Sequence, residues 1–323
     1  MNIHPMTSHT KRILVTGAAG FIGSELVPAL RARYGEDNVI ILDIRELPNG
    51  GKQEVGDATN KEFVKFCIEK HSITEIYHLV GIISAKGEQD PELAYRVNMN
   101  SLKNVLDIAK EMKEAGKPIK IFWPSSIAAF GPTTPKVMTP QRTIMEPSTM
   151  YGITKVAGEL LASYYYQRYG VDIRSVRYPG IIGWKAPPGP GTTEYAVHIF
   201  HAALKEKKYA AFLKEGTNLP MMYIDDAIRA TIELMDADPN KLSVRTSYNL
   251  AAISFAPEEI AAEIKKRIPE FQMSYAPDFR QQIAESWPQS IDDSTARKDW
   301  GWKHKYGLSE LVDVMLKNLK GKV

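Results

Sequence analysis

A chain of 323 residues with 44% hydrophobic and 24% charged side chains suits one large globular domain with an elaboration, or two domains. The formal net charge is only +3, and the densest basic runs are KEKK at 205–208 and KKR at 265–267, so neither a nucleic acid nor a membrane is expected as partner. The single cysteine, Cys67, excludes an internal disulfide framework and a cysteine-rich zinc site, and the seven histidines form no H-E-x-x-H arrangement; no metal is expected. No apolar run approaches the roughly 18 residues of a membrane span. The first twelve residues, MNIHPMTSHTKR, lack the apolar core of a secretory signal, which leaves the cytoplasm as the expected compartment.

Short β-branched runs alternate with helical patterns from residue 12 onward. RILVTG (12–17) reads as a strand and is followed by a helix over about 21–34. NVIILD (38–43) is the second strand, and EIYHLVG (75–81) the fourth. A helix runs over 91–115, IKIFWPSS (119–126) returns as a strand, a long helix covers 150–169, and DIRSVRYPG (172–180) is the sixth strand. This alternation predicts an α/β fold, a doubly wound parallel sheet of the Rossmann kind over 11–180, with helices on both faces.

After Gly180 the pattern loosens. IIGWKAPPGPGTTEYA reads as loop, YAVHIFHAALKEKK as an amphipathic helix, and MMYIDDAIRATIELMDA (221–237) as a strand edge and helix capped by Asp225 or Asp226. Residues 222–253 are expected to rejoin the main domain, with TSYNLA (246–251) as a further strand. Residues 181–221 and 254–323 then form a smaller, mainly helical lobe that binds substrate.

VTGAAGFIGSEL (15–26) carries the strongest local signal. Gly17, Gly20 and Gly23 follow a strand and open a helix, so the backbone can turn tightly and bring helix N–H groups to a pyrophosphate. The spacing is GxxGxxG, and a bare glycine triplet is weak without that context. Asp43 closes the second strand, where a carboxylate accepts the adenosine ribose hydroxyls and repels a 2′-phosphate. NAD is therefore expected over NADP, although Arg45 could soften the exclusion. Asp57, in GDAT (56–59), is placed to meet the adenine.

Tyr151 and Lys155 lie four apart and share a helix face. A tyrosine with pKa near 10 is a poor base, and an ammonium beside it favours the phenolate. Y-x-x-x-K alone is a weak signal, since among 15 tyrosines roughly one chance match is expected. Ser125 and Ser126 end the fifth strand, at the sheet edge that lines the ligand crevice, where they orient an alcohol or merely cap the strand.

Taken in order, GxxGxxG, Asp43, Ser125-Ser126, Tyr151-x-x-x-Lys155 and RYPGIIG resemble the extended short-chain dehydrogenase/reductase family over essentially the whole chain. That resemblance implies Tyr151 as general acid/base, Lys155 on the nicotinamide ribose, Ser126 as the aligned hydroxyl, Ser125 touching substrate and Asn98 bracing the site. It also assigns Phe21, Ile22, Ile44, Ala58, Leu79, Gly81 and Tyr178 to the cofactor surface, HLVG (78–81) being the strand that lies against it. The segments RYPGIIG…PPGPGTTEYAVHIF and ESWPQSIDDSTARKDWGW are similar to the NAD-dependent, nucleotide-sugar-epimerase-like L-threonine 3-dehydrogenases. The loop at 187–196 is then expected to hold threonine through Gly191, Thr192 and Thr193, with Ser84 and Trp287 lining the pocket. Trp287 could equally be a core or interface aromatic. A homodimer paired through the helices near 91–115 and 150–169 is implied by the same resemblance.

Two other readings compete. A nucleotide-sugar epimerase or dehydratase must hold a diphosphate, usually through Arg or Lys, and loop 187–196 supplies neither. A non-catalytic NAD-binding regulator would have no need of Tyr151, Lys155 and Ser126 together.

Overall fold

The β-branched runs become strands that alternate with helices along the first half of the chain. The protein is seen in a computed structural model that describes residues 11–48 and 50–322. Residues 1–10, on which most of the leader reading rests, lie outside the described residues. The first half runs β1 (Ile13–Thr16), α1 (Phe21–Tyr34), β2 (Val39–Asp43), β3 (Gln53–Val55), α2 (Lys61–Lys70), β4 (Glu75–His78), α3 (Ser84–Gln89), α4 (Pro91–Glu114), β5 (Lys120–Ser126), α5 (Met150–Tyr169) and β6 (Ile173–Tyr178). There follow β7 (Gly180–Ile182), α6 (Tyr195–Lys205), β8 (Lys208–Ala211), β9 (Leu219–Tyr223), α7 (Ile224–Asp236), β10 (Tyr248–Asn249) and β11 (Ile253–Phe255). The chain closes with α8 (Pro257–Lys265), β12 (Gln272–Tyr275), α9 (Arg280–Ser286), α10 (Ser294–Trp300) and α11 (Leu308–Leu319).

Seven strands form one sheet in the order β3-β2-β1-β4-β5-β6-β10, and every pairing is parallel. Successive side chains of a strand point to opposite faces, and here both faces are apolar. Leu14, Ile40, Ile76 and Ile121 join one buried cluster, while their neighbours Ile13, Ile41, Tyr77 and Phe122 join the other. That double burial is what a sheet covered by helices on both sides requires. Strand order reverses between β1 and β4, and the crevice for a ligand opens at that point.

Caps hold the helix starts that matter for the site. Thr149 accepts the Gly152 N–H at 3.1 Å at the head of α5, and Asp90 accepts the Leu93 N–H at 3.0 Å at the head of α4. Each such cap contributes about 1 kcal/mol.

Beyond β6 the structure departs from the sequence reading in two places. The expected strand 172–180 is split: Pro179 has no N–H to give a ladder, and Gly180–Ile182 pairs with β9 in a second sheet, β7-β9-β11. The N-cap of α7 is Tyr223, so neither Asp225 nor Asp226 caps that helix. Asp226 is committed elsewhere: it accepts the N–H groups of Lys305 (2.9 Å) and Tyr306 (3.0 Å) and pairs with Arg229 at 2.7 Å. TSYNLA does contribute β10 to the edge of the main sheet, beside β6. From Gly180 on, the chain also forms, with its helices, the β7-β9-β11 sheet and a parallel β8-β12 pair. Among the described residues no helix is long and apolar enough to cross a membrane.

Candidate active site

The turn from β1 into α1 forms the floor of the crevice. Gly17 has φ of +72°, and a Cβ there would lie 3.0 Å from the Val80 backbone nitrogen. A Cβ on Gly23 would lie 2.5 Å from the Ala18 carbonyl oxygen, so only glycine lets α1 pack this close to the loop. Gly20 stands at the N-cap without a side-chain cap, leaving the first N–H groups of α1 for a ligand. Asp43 Oδ2 accepts the Ala19 N–H at 2.9 Å and Oδ1 accepts the Arg45 N–H at 3.2 Å. This cradle, with a carboxylate at the end of β2, fits a dinucleotide.

The α5 helix brings Tyr151 and Lys155 against the end of β5. Lys155 Nζ donates to the Pro124 carbonyl at 2.5 Å and lies 4.5 Å from the Trp123 ring centroid and 5.3 Å from that of Tyr151. Burial pushes the Lys155 ammonium down to about 7, opposed by the charge of Glu159. Burial also pushes the Tyr151 phenol up to about 12, and the Ser126 hydroxyl beside it pulls the other way. The Ser126 hydroxyl is thus a group that favours the phenolate. Asn98 Oδ1 accepts the Ile82 N–H at 2.7 Å, and its Nδ2 donates to Ile82 O at 3.1 Å and Thr154 Oγ1 at 3.0 Å. That clasp ties the segment after β4 to α5.

Opposite stands the loop of residues 187–194. Its last residues make a single helical turn, Thr192–Glu194. The Gly189 N–H donates to Glu194 Oε2 at 3.1 Å, and the Gly189 carbonyl lies 3.1 Å from His198 Nε2. Burial raises the Glu194 carboxyl above its ordinary range.

Between these walls lies a cleft of about 200 Å³. It gathers Phe21, Ile22, Leu79, Gly81, Ser84, Ser125, Ser126, Tyr151, Lys155, Tyr178, Gly191, Thr192, Thr193 and Trp287 from the residues singled out in sequence. Tyr178 lines it as well, although its hydroxyl is taken up by Thr231 Oγ1. Gly17, Gly20, Gly23, Asp43, Ile44, Asp57, Ala58 and Asn98 stand outside its wall. Asp57 Oδ1 takes the Thr59 N–H at 2.8 Å, and Ile44 is exposed. The charged residue that sequence reasoning missed is Glu194, the only carboxylate on the cleft wall among the described residues. The signal was its place directly after the Thr192-Thr193 pair.

A parallel sheet whose crevice opens at its reversal point, with a tyrosine–lysine helix against strand-end serines, is the construction of an NAD-dependent oxidoreductase. Residues 13–251 match the NAD dependent epimerase/dehydratase family, and the chain belongs to that family. It is 48% identical over 311 residues to the mitochondrial L-threonine 3-dehydrogenase of Bos taurus, covering 95% of this chain and 82% of that protein. The holo form of an L-threonine dehydrogenase from Cupriavidus necator superposes with a TM-score of 0.92 at 54% identity, covering 95% and 99% of the two chains. A monomeric L-threonine 3-dehydrogenase from a metagenome does so with a TM-score of 0.91 at 48% identity, covering 95% and 98%.

Proposed function

We propose that this enzyme oxidises the 3-hydroxyl of L-threonine to 2-amino-3-oxobutanoate. The observation that carries the reading is the wall of the cleft: small and, among the described residues, with one carboxylate (Glu194), one cation (Lys155) already bonded to Pro124, and no arginine. A nucleotide diphosphate would have no guanidinium to meet, whereas an amino acid finds an acid for its ammonium and hydroxyls for its carboxylate. The identity to relatives named for L-threonine supports the same assignment.

NAD, when bound, would supply the acceptor for the hydride of threonine C3. Gly17, Gly20 and Gly23 let the backbone approach the pyrophosphate, and Asp43 takes the adenosine ribose hydroxyls. Asp57, Ile44 and Ala58 flank the adenine; Phe21, Ile22, Leu79, Gly81 and Tyr178 wall the cofactor, while Asn98 braces the site. Tyr151 takes the hydroxyl proton as the C–H bond breaks, Ser126 holds the oxygen, and Lys155 donates to the nicotinamide ribose. Gly191, Thr192 and Thr193 cradle the carboxylate, Glu194 faces the ammonium, and Ser84, Ser125 and Trp287 close the pocket.

The test is NADH formation with a panel of β-hydroxy amino acids and UDP-sugars. Turnover of L-threonine well above L-serine and D-threonine, with none on UDP-sugars, is expected; the reverse order would overturn the assignment. By the same reading residues 11–180 and 222–253 form the cofactor domain and the remaining segments the substrate lobe.

The protein works in the cytoplasm as a homodimer. Tyr95 on α4 and Ile153, Leu160 and Tyr164 on α5 are exposed apolar side chains, a face suited to a second copy. Light scattering should give twice the chain mass, and Leu160→Glu should halve it; cell fractionation checks the compartment.

A further inference from the structure

One turn beyond Lys155 on α5 sits Glu159, a carboxylate with no exposure at all. An uncompensated charge there would be untenable, and Arg177 supplies the compensation: its Nε and Nη2 reach Glu159 Oε1 at 2.9 Å and Oε2 at 2.7 Å. Arg177 is itself buried, and its Nη1 donates to Asn249 Oδ1 at 2.9 Å and to the Gln141 carbonyl at 3.1 Å. The pair is therefore held from three segments. Glu159 Oε1 has one further partner, the Ser125 hydroxyl at 2.6 Å. Ser125 and Arg177 are register neighbours on β5 and β6, so both reach the same side of the sheet toward α5.

We propose that Glu159, clamped by Arg177, is a positioning residue of the active site: it commits the Ser125 hydrogen and sets a fixed negative charge one turn below Lys155. Because Glu159 accepts two guanidinium bonds, the hydrogen in the Ser125–Glu159 bond belongs to Ser125. Ser125, which lines the cleft, is left with lone pairs only. It then accepts from a substrate donor and offers nothing to a substrate carboxylate. Lys155, bonded to the carbonyl next door at Pro124, is the only cation of that wall among the described residues. Burial drives it toward neutrality, and Glu159 is the charge that opposes this. Across the cleft Glu194 is the other carboxylate, and it is taken up by the Gly189 N–H; the groups packed around Lys155 on α5, β4 and β6 supply no further negative charge. Tyr151 is protonated, His78 on β4 is neutral because burial and the Lys155 charge push it to about 3, and Arg177 is paired with Glu159 itself.

The inference rests on the oxidoreductase reading of the site but not on the identity of its substrate, and one readout needs no substrate. In protein carrying isotope-labelled lysine, the Lys155 Cε resonance, identified by its loss in Lys155→Met, is titrated by NMR in the wild type and in Glu159→Gln. The midpoint should move to lower pH by about one unit, a roughly tenfold change in the charged-to-neutral ratio above it. The alkaline fall of kcat should move with it, while activity near the acid end is retained. Ser125→Ala should raise KM for L-threonine and leave the midpoint in place. The double variant Glu159→Gln/Arg177→Gln removes both charges and carries the test should the single variant not fold. An unchanged midpoint, or an activity loss that is even across pH, would overturn the proposal. A wild type inert toward L-threonine would overturn the substrate assignment alone.

Discussion

Asp43 Oδ2 lies 2.9 Å from the backbone nitrogen of Ala19, so the carboxylate ending β2 is bonded to the glycine loop that follows β1. The same side chain thus shapes the cradle and, in the proposed reading, would meet the adenosine ribose. Its neighbour Arg45 is exposed, with Nε 4.0 Å from Oδ1, too far to neutralise it by a strong hydrogen bond. A 2′-phosphate here meets a like charge that costs several kcal/mol, so NAD should exceed NADP in kcat/KM by about a hundredfold or more. Asp43→Asn, which keeps an acceptor for Ala19, should narrow the ratio; equal efficiency in the wild type would mean that Arg45 governs this end.

Tyr151→Phe should remove the proton acceptor and little else, since the ring stays in place. A fall in kcat of at least ~10²–10⁴-fold is expected, with NAD affinity by calorimetry nearly unchanged. Near-normal turnover would show that another group takes the proton.

Lys155 links activity to stability. Its pKa is lowered from 10.5 to about 7 in the folded protein, so the unfolded chain binds the extra proton between those values. Stability from this group therefore rises with pH from about 7 to about 10, and below 7 the full cost of the buried charge is present. Tyr151, raised from 10 to about 12, acts oppositely above pH 10. Lys155→Met should be inactive, should raise Tm at neutral pH by removing a cost on the order of a few kcal/mol, and should flatten the dependence of Tm between pH 7 and 9. A Tm that falls on substitution would mean that the ammonium is better solvated than its burial implies.

The loop proposed to hold substrate can be dissected one group at a time. Thr192→Ala and Thr193→Ala should raise KM for L-threonine, at least one of them by ten- to a hundredfold, the scale of a lost hydrogen bond to a charged group. Glu194→Gln should do the same through the ammonium, and none should alter NAD affinity. If all three leave KM in place, the loop is only a cover and the carboxylate site lies near Ser84 or Trp287.

The periodicities of 2 and 3.6 residues were enough to place β1, α1, β5 and α5, because backbone geometry turns them into faces within one segment. Hence the placement of Gly17, Gly20 and Gly23, Asp43, and the Tyr151–Lys155 pair was legible: each sits among neighbours a few residues away or at a strand end that topology sends to one edge. What the tertiary structure decided joins segments far apart. Asp226 resembled a helix cap until the 305–306 segment took its oxygens, and Gly180–Ile182 left the main sheet for partners that arrive only at residue 219. Glu159 and Arg177 are 18 residues apart, one on a helix and one on a strand, and no local pattern pairs them. Their charges became a buried pair only because α5 packs across the ends of β5 and β6, where no water remains to solvate either alone.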